Sequence, residues 1–519
     1  MNVEAKTFLP VLPGEVLSAL PGVVSMFIGC LQKNIQKQDE QIQQQDEQIQ
    51  QQDEQIQQQD EQIQQLQALV YELEAKLAKD STNSGKPPSS DGLKRKPKSL
   101  RVESDKKKGA QDGHAGKNLE SVRNPDTIVM HTPTSCGGCG SSLAEANATC
   151  MGTRQVFDIP PIKIKVTEHR IEGKECLRCG KLTKGEFPEN VKSPVQYGDQ
   201  VRTLVAYFSN QHFIPVKRVC DILKDVFGTP ISPGTCANIE KKLSINLTSF
   251  EEGLKTHLLG SHTLHFDETG MRCKKKLHWV HVAASNEATL YTMHEKRGKE
   301  AIEAAGILPN FTGVAVHDYW VPYFGYTQAT HALCNAHHAR ELIFAHEHEK
   351  EKWAKPMLDH LIQANKEVEK HIELGALPHK LLEKIKQEHK KLLADGMLYH
   401  ASLPSPVSNG TRGRKRQRYG KNLLDRLDKK SDCVLRFTHD FSVPFTNNLA
   451  ERDIRMVKVK QKVSGCFRTS SGGDYFCRVR SYISTARKQK WNVLDSLLDA
   501  VRGMPRLLQQ EASGQPIVA

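Results

Sequence analysis

The most regular hydrophobic pattern of the chain lies in residues 24–79, where apolar residues recur at every seventh position. This spacing places the apolar side chains along one face of an α-helix, as in a coiled coil. The positions three residues later hold leucine near both ends of the segment and glutamine in its middle. The pattern predicts a helix about 75 Å long. Its apolar series consists of Ile28, Ile35, Ile42, Ile49, Ile56, Ile63, Val70 and Leu77.

Two interpretations of this repeat remain open. Isoleucine in the first core position favours two parallel strands, so the segment would join chains into a homodimer or a higher oligomer. Glutamine in the second core position weakens that seam, and the alternative is low-complexity sequence that forms only a marginal helix. Leu31, Leu66 and Leu73 restore the apolar seam at both ends, which favours the coiled coil.

The segments flanking the repeat show no such periodicity. Residues 1–23 form a short N-terminal segment, and residues 80–125 contain a stretch rich in Ser, Pro, Gly and Lys. The second composition is typical of a flexible basic linker. Such a linker either follows DNA phosphates or serves only as a tether.

Two C-x-x-C pairs follow, in residues 126–192. Each pair is followed by a glycine, which suits a tight turn that directs two thiolates at one ion. Four thiolates at this spacing predict a structural Zn²⁺ site; the alternative is four unrelated core cysteines. The predicted ligands are Cys136, Cys139, Cys176 and Cys179.

The 36 residues between the two pairs are many for a zinc ribbon. Residues 155–171 are rich in Val and Ile, which predicts a pair of strands in this interval. Cys150 also lies between the pairs and is a competing candidate ligand.

Residues 193–250 alternate between apolar and polar positions with a helical period, which predicts helices at 199–211, 215–227 and 232–243. Gly228 ends the second helix, and Ser232 followed by Pro233 is a typical helix start. Short helices joined by a Gly-containing turn resemble a helix-turn-helix. An ordinary helical bundle has the same pattern, so two interpretations remain open: a DNA-binding helix-turn-helix and a bundle without this role.

The pattern changes to short strands in residues 251–328. Strands are predicted at 263–266, 278–284, 289–294 and 313–317, with a helix at 298–305 before the last strand. This order fits a mixed sheet in which the first and fourth strands are neighbours, as in the ribonuclease H fold. Asp267 and Asp318 follow those two strands and would lie at one edge of the sheet.

A third acidic residue, Glu451, lies in the first turns of a helix predicted within residues 441–505, with Asn447 or Asn448 as its cap. The intervening residues 329–440 are predicted to form a mainly helical insertion. Three carboxylates can hold two Mg²⁺ (or Mn²⁺) ions that clamp a phosphoryl transfer. For any single acid, a solvated surface position is the simpler reading.

Within the insertion, Cys334 and His337 are three residues apart in a predicted helix. Two ligands at this spacing form a possible site for Zn²⁺ or for a DNA end. A packed cysteine and a structural histidine explain the pair equally well.

The net charge of the chain is +13, but residues 86–108, 412–421 and 451–490 together carry +20 against the acidic repeat. Such blocks predict a polyanionic partner, most simply DNA; solvated faces are the alternative. The candidate DNA-binding residues are Arg414, Lys415 and Arg416 in the insertion, and Arg452, Arg455, Lys458, Lys460, Lys462 and Arg468 after Glu451.

Composition excludes several classes of protein. No apolar run approaches the roughly 18 residues of a membrane span, and the N-terminus lacks the features of a signal peptide. The 13 cysteines, four of them in C-x-x-C pairs, indicate metal binding in a reducing compartment.

Several of these motifs together resemble the transposases of the insertion-sequence-66 family. They are HFDET at 265–269, HDYW at 317–320, NNLAER at 447–452, KVKQKVSGCFR at 458–468, NSGKPPSSD at 83–91, both C-x-x-C pairs, residues 215–235 and the C-x-x-H of Cys334 and His337. The resemblance extends over most of the chain. Only the glutamine-rich repeat departs from it, being longer than the usual coil.

The resemblance implies a multidomain α+β protein whose parts are a coiled coil, a small zinc-binding domain, helix-turn-helix-like helices and a ribonuclease-H-like α/β catalytic domain with a helical insertion. It implies a DDE transposase with Asp267, Asp318 and Glu451 as catalytic acids, which binds the element ends and target DNA. A bacterial cytoplasmic, nucleoid-associated location and accessory proteins of the same element are further implications. Water would cleave at the element end, and the freed 3′-OH would attack target DNA.

Two other functions fit the same residues. A metal-dependent nuclease or resolvase on the same fold would cut DNA without joining strands. A non-catalytic, zinc-containing DNA-binding regulator would use the three acids only structurally.

Overall fold

The computed structural model describes residues 13–80, 119–160, 162–403 and 417–508. The chain divides into two compact units, Met1–Lys96 and Pro97–Ala519. Most of the predicted linker and the basic residues Arg414, Lys415 and Arg416 lie outside the described residues.

The first unit contains a short helix, α1 (Gly14–Ser18), and a long one, α2 (Gly22–Ala78). The long helix predicted from the seven-residue repeat is therefore confirmed. Its apolar stripe, including Ile42, Ile49 and Ile56, is exposed in the single chain. Pairing of this stripe with a second chain stays a prediction.

The second unit begins with the region of the C-x-x-C pairs. Its two short strands, β1 (Gly173–Glu175) and β2 (Leu182–Lys184), are antiparallel and flank the second pair. The strands predicted at 155–171 are wrong for the residues that the structure describes there. Val156 and Val166 are almost fully exposed, so no burial stabilises an extended pairing of this segment.

Four helices follow: α3 (Asp199–Ala206), which continues as a π-helical turn over Tyr207–Gln211, α4 (Val216–Phe227), α5 (Pro233–Asn246) and α6 (Thr248–Leu259). The three predicted helices are confirmed. Gly228 ends α4 with a φ of 63°, and the Ser232 hydroxyl accepts a hydrogen bond from the Thr235 N–H at the start of α5. The sequence signals both helix ends: Gly228 readily adopts the left-handed conformation that ends α4, and the Ser232 side chain caps the start of α5.

A five-stranded mixed sheet forms the centre of the second unit, in the order β5-β4-β3-β6-β7. The three antiparallel strands are β3 (Thr263–Cys273), β4 (Lys276–Ala284) and β5 (Thr289–His294). After helix α7 (Lys299–Ala305) come β6 (Val314–His317) and β7 (Thr330–Leu333), both parallel to their neighbours.

The sheet confirms that the first and fourth predicted strands are adjacent, since β3 pairs with β6. Two details differ from the prediction. Strand β3 continues past Asp267 to Cys273, so this acid lies within a strand and not after it. Strand β7 was not predicted, and its residues belong to the sheet although the sequence places them in the helical insertion.

The segment after β7 is helical, as predicted, and has its own buried core around Leu342, Leu361 and Leu424. Its helices are α8 (Asn335–Glu347), α9 (Ala354–Lys370), α10 (His379–Ser402), α11 (Tyr419–Lys429), α12 (Ser431–Val434) and α13 (Arg436–His439).

The last three helices are α14 (Asn448–Ser464), α15 (Ser470–Lys488) and α16 (Val493–Val501). Ala450, Ile454 and Val457 form the buried stripe of α14 and pack with Met271 and Val280 of the sheet. Their spacing of three and four residues is that of one helix face, which fixes α14 against β3 and β4. Across the described ranges, no helix is long and apolar enough to span a membrane.

Candidate active site

Strands β3 and β6 bring two aspartates to the same level of the sheet. His265 pairs with Val316, so Asp267 and Asp318, each two residues further on, stand side by side. Adjacent strands are about 4.8 Å apart, which brings these two carboxyl groups close together. The Asp267 carboxylate accepts a hydrogen bond from the Glu268 N–H at 2.8 Å, and that of Asp318 accepts one from the Trp320 N–H at 3.0 Å.

The two aspartates lie in a buried and strongly acidic environment. Burial, followed by the charges of Glu268, Asp318 and Glu451, raises the pKa of Asp267 well above its ordinary value. Burial also raises the pKa of Asp318. Like charges this close cannot all stay ionised without a compensating cation, so the arrangement suits a divalent metal ion.

Glu451 lies in the first turn of α14, as predicted. Its carboxylate is half-buried and close enough to Asp267 to raise the pKa of that residue. Among the residues that the structure describes, however, the set of three potential metal ligands within 4.8 Å of one another is Cys334, His337 and Glu451. The Glu451 carboxylate therefore groups with the side chains of Cys334 and His337, and not with the pair Asp267 and Asp318.

Asn447 attaches the start of α14 to strand β3. Its side chain is buried; its amide donates to the Phe266 carbonyl at 2.8 Å, and its amide oxygen pairs with His265 Nδ1 at 2.8 Å. An amide oxygen only accepts, so His265 Nδ1 is the donor. Asn447 stands at the cap position of α14, but its side chain makes no capping hydrogen bond, so the predicted capping role is wrong. The side chain instead fixes the helix to the strand that carries Asp267.

The helix that carries His337 starts at the same edge of the sheet. Leu333 of β7 pairs with His317 of β6, so Cys334 is level with Asp318. The Cys334 sulfur accepts a hydrogen bond from the Asn447 N–H at 3.1 Å. Two strand ends and the starts of two helices thus meet around the acidic residues.

A second acidic residue on β3, Glu268, was not predicted to belong to the site. It accepts hydrogen bonds from Tyr323 Oη at 2.5 Å and from Arg297 at 2.6 Å. The Arg297 guanidinium also lies between two indole rings, 4.8 Å from that of Trp279 and 4.4 Å from that of Trp320. Only its position directly after Asp267 in the sequence links Glu268 to the site, and nothing in the sequence indicates Arg297.

The basic residues after Glu451 do not all face solvent. Arg452, Arg455, Lys462 and Arg468 are exposed, which a DNA-binding surface requires. Lys458 is half-buried and donates to the Gly270 carbonyl.

Lys460 was predicted to lie on the DNA-binding surface, but it is buried and faces the core. Its ammonium lies 3.9 Å from the centre of the Phe467 ring and donates to the Gly465 carbonyl at 3.1 Å. Burial lowers the pKa of Lys460 to about 8. Because the helix period turns this position inward, Lys460 packs the end of α14 and does not reach a phosphate.

The two C-x-x-C turns have the same backbone geometry. In each, the N–H of the following glycine donates to the carbonyl of the first cysteine, at 2.9 Å for Gly140 and 2.8 Å for Gly180. Both glycines have a positive φ, 76° and 69°. Hydrogen bonds from Ser141 lower the pKa of Cys139 to about 7, which favours a thiolate.

The thiols are close within each pair, since Cys136 lowers the pKa of Cys139 and Cys179 that of Cys176. Over the described stretches, no three of these four sulfurs lie within 4.8 Å of one another. The structure therefore forms both turns and leaves their union around one ion a prediction.

Known protein families match several parts of the chain. The family described as "Transposase IS66 family" matches residues 194–475, more than half of the chain. The "zinc-finger binding domain of transposase IS66" matches residues 133–180, and a family of unknown function (DUF6444) matches residues 24–120. No curated protein matches the chain.

Proposed function

This chain belongs to the IS66 family of transposases, and we propose that it cleaves DNA and transfers strands with Asp267, Asp318 and Glu451 as its catalytic acids. The observation that carries the proposal is the effect of two of these carboxylates on the third, Asp267. The three carboxylates come from β3, from the end of β6 and from the first turn of α14, and the charges of Asp318 and Glu451 both raise the pKa of Asp267.

The sheet topology supports a ribonuclease-H-like catalytic domain. Three antiparallel strands, a helix and two parallel strands follow in that order, and the first strand is central. Asp267 on the central strand and Asp318 at the end of its parallel neighbour occupy the positions expected for such a fold. Helix α14 packs on β3 and β4 and delivers Glu451 to the same edge.

The three acids fit a pair of hard divalent cations, Mg²⁺ or Mn²⁺. All three are oxygen ligands, and the two aspartates are held close and have raised pKa values because burial disfavours their charge. The ions would stabilise the negative charge that develops on the attacking and leaving oxygens. The protein supplies the fixed geometry: β3 and β6 hold the two aspartates level, and Asn447 holds α14 against β3.

Two transfers at this one site would complete the reaction. Water first attacks a phosphodiester at the element end, and the 3′-oxygen leaves as a free hydroxyl. That hydroxyl then attacks a phosphodiester of the target, and the target strand's own 3′-oxygen leaves. Each step exchanges one P–O bond for another, so no covalent link to a protein side chain is required.

DNA would approach over the exposed bases of α14 and the residues that follow it. Arg452, Arg455, Lys462 and Arg468 are exposed along α14 and in the segment after it, and basic residues on this surface would offset the repulsion between phosphates and carboxylates. Arg414, Lys415 and Arg416 are proposed to add to this surface on sequence grounds alone.

We also propose a structural Zn²⁺ at Cys136, Cys139, Cys176 and Cys179, because the two turns repeat one hydrogen-bond geometry and each presents two thiols. Helix α2 is proposed to pair with a second chain through its exposed isoleucines. In this proposal the zinc site and the pairing of α2 contribute to assembly on DNA and take no part in the chemical steps.

Cleavage and joining can be separated in one experiment. Full-length protein is incubated with Mg²⁺, a labelled duplex carrying the ends that flank the gene, and a target plasmid. We expect a nicked 3′ end and a joined product, both lost in Asp267→Asn and Glu451→Gln. Glu300→Gln removes an exposed acid on α7 and should retain both products.

Two results would contradict the proposal. Cleavage without any joined product would indicate a nuclease, and undiminished cleavage by Asp267→Asn would remove that residue from the site. Retention of DNA binding without either reaction in the wild-type protein would favour a regulator.

A further inference from the structure

A cluster of three chemically different ligands lies beside the proposed catalytic acids. One atom each of Cys334, His337 and Glu451 lies within 4.8 Å of the others. His337 Nδ1 is 3.9 Å from Glu451 Oε1. Cys334 is buried, whereas His337 and Glu451 are half-buried.

The backbone fixes this cluster firmly. Cys334 follows β7 directly, and His337 lies in the first turn of α8. The Asn447 N–H donates to the Cys334 sulfur at 3.1 Å, and the Asn335 N–H donates to the Phe445 carbonyl at 3.0 Å. These two bonds hold the start of α8 against the start of α14, so the spacing of the three side chains does not depend on flexible loops.

Two polar atoms that face this cluster are unsatisfied. His337 Nδ1 and Glu451 Oε1 are buried, and neither has a hydrogen-bond partner in the described part of the chain. Leaving a buried polar atom unpaired costs about 1–3 kcal/mol. A cation bound between the two atoms would satisfy both, whereas an apolar neighbour would satisfy neither.

We propose that Cys334, His337 and Glu451 form a binding site for a thiophilic divalent cation of the Zn²⁺ type. Thiolate, imidazole and carboxylate are all Zn²⁺ ligands, and three of them leave one position open to water or to a substrate oxygen. The sulfur ligand disfavours Mg²⁺, which requires oxygen. This site is separate from the cysteine turns and from the two aspartates.

Occupancy of this site has a consequence that rests on the proposed function. Glu451 belongs to both ligand sets and cannot serve both with the same oxygens. A Zn²⁺ ion bound to Cys334 and His337 therefore draws Glu451 away from Asp267 and Asp318. Zn²⁺ is expected to inhibit the Mg²⁺-dependent reaction, and higher Mg²⁺ is expected to relieve the inhibition.

Cobalt binding tests the site without any catalytic readout. Full-length protein is first saturated with one equivalent of Zn²⁺, which four thiolates retain against Co²⁺. Co²⁺ is then titrated and the sulfur-to-cobalt charge-transfer absorption is measured. We expect one further equivalent to bind, and Cys334→Ser and His337→Asn to weaken that binding by at least about 10-fold, because even the loss of a supporting neighbour of a metal ligand costs that much.

Matched variants control for general effects. Cys466→Ser removes an exposed cysteine and His346→Asn an exposed histidine of the same helix α8, and both should bind Co²⁺ as the wild type does. Absence of a further Co²⁺ equivalent, or equal binding by all four variants, would overturn the site. If Cys334→Ser fails to fold, His337→Asn alone decides between these outcomes.

Inhibition tests the link to catalysis separately. The ratio of DNA cleavage with Zn²⁺ to cleavage without it, at fixed Mg²⁺, should be low for the wild type and close to one for His337→Asn. An equally low ratio in that variant would refute the competition for Glu451. A wild-type protein that shows no Mg²⁺-dependent cleavage at all would instead refute the proposed function, while the cobalt titration would still decide whether the site exists.

Discussion

Asn447 offers the sharpest test of how the site is assembled. Its buried side chain joins the first turn of α14 to β3 through the Phe266 carbonyl and the His265 ring. Asn447→Ala removes both bonds and leaves two buried polar groups without partners. The neighbouring Asn448 is exposed, so Asn448→Ala changes the same kind of residue without these losses.

The magnitude follows from the two lost partners. Each unsatisfied buried group costs about 1–3 kcal/mol, so Asn447→Ala is expected to lower the free energy of unfolding by roughly 2–6 kcal/mol. Asn448→Ala, a surface change, should stay within about 0.5 kcal/mol of the wild type. Because Glu451 lies one turn after Asn447, a shift of about 1 Å in the helix start should also reduce cleavage by about 10²-fold.

Urea unfolding followed by tryptophan fluorescence measures the first effect. The chain has 4 tryptophans, Trp279, Trp320, Trp353 and Trp491, so the signal reports on this part of the protein and not on α2. DNA cleavage under single-turnover conditions measures the second effect. Asn447→Ala with the stability and cleavage rate of Asn448→Ala would refute the anchoring role.

Three further predictions concern other parts of the chain. Burial raises the pKa of Asp267, so its protonated carboxyl favours the folded state at low pH, and this contribution is lost as pH rises through the raised pKa. Asp267→Asn should therefore raise the Tm of chelator-treated protein at neutral pH. The gain in Tm over the wild type should shrink on acidification. An Asp267→Asn variant with a lower neutral Tm would contradict this. Cys176→Ser should lower the zinc content by about one ion per chain, whereas Cys150→Ser should not; equal zinc in both would exclude the cysteine site. Ile49→Lys should convert dimers to monomers in light scattering, and the outward-facing Gln51→Lys should not; unchanged mass for Ile49→Lys would argue against the coiled coil.

The sequence pattern indicated Asp267 and Asp318 as candidate acids, whereas Glu451 was selected through the resemblance to the insertion-sequence-66 family; the catalytic role of all three stays a proposal. Asp267 and Asp318 come at or near the ends of short apolar strands, and the adjacency of those strands follows from the strand and helix order. Glu451 lies in the first turn of a helix, next to a run of bases. What the sequence could not show is that Glu451 contacts Cys334 and His337, since that contact depends on how α8 and α14 meet.

Two errors in the prediction of the sheet, the early end of β3 and the omission of β7, have local physical causes. Strand β3 was predicted to end at residue 266, but it continues to Cys273, where Lys274 and Lys275 form the turn to β4 with positive φ values of 49° and 66°. A two-residue turn of this kind is usually signalled by Asn or Gly, and lysine gives no such signal. Strand β7 has only 4 residues, too few for a period of two to be distinguished from a helix.

The strands predicted at 155–171 failed for a different reason. β-branched residues favour strands mainly when their side chains pack on a partner surface. In the described residues of this segment, Val156 and Val166 are exposed and find no such surface. The neighbouring turns formed as predicted because glycine conformation and hydrogen bonding are local properties.

Asp318→Cys tests whether the acidic residues act by holding divalent metal ions. Thiolate binds Mg²⁺ poorly and Mn²⁺ better, so the ratio of strand-transfer activity in Mn²⁺ to that in Mg²⁺ is the quantity to measure. We predict that this ratio rises by at least about 10-fold over that of the wild type, because the first transition series binds soft ligands more tightly than Mg²⁺ does. An unchanged ratio, with Asp318→Cys as active in Mg²⁺ as the wild type, would contradict the assignment of this site.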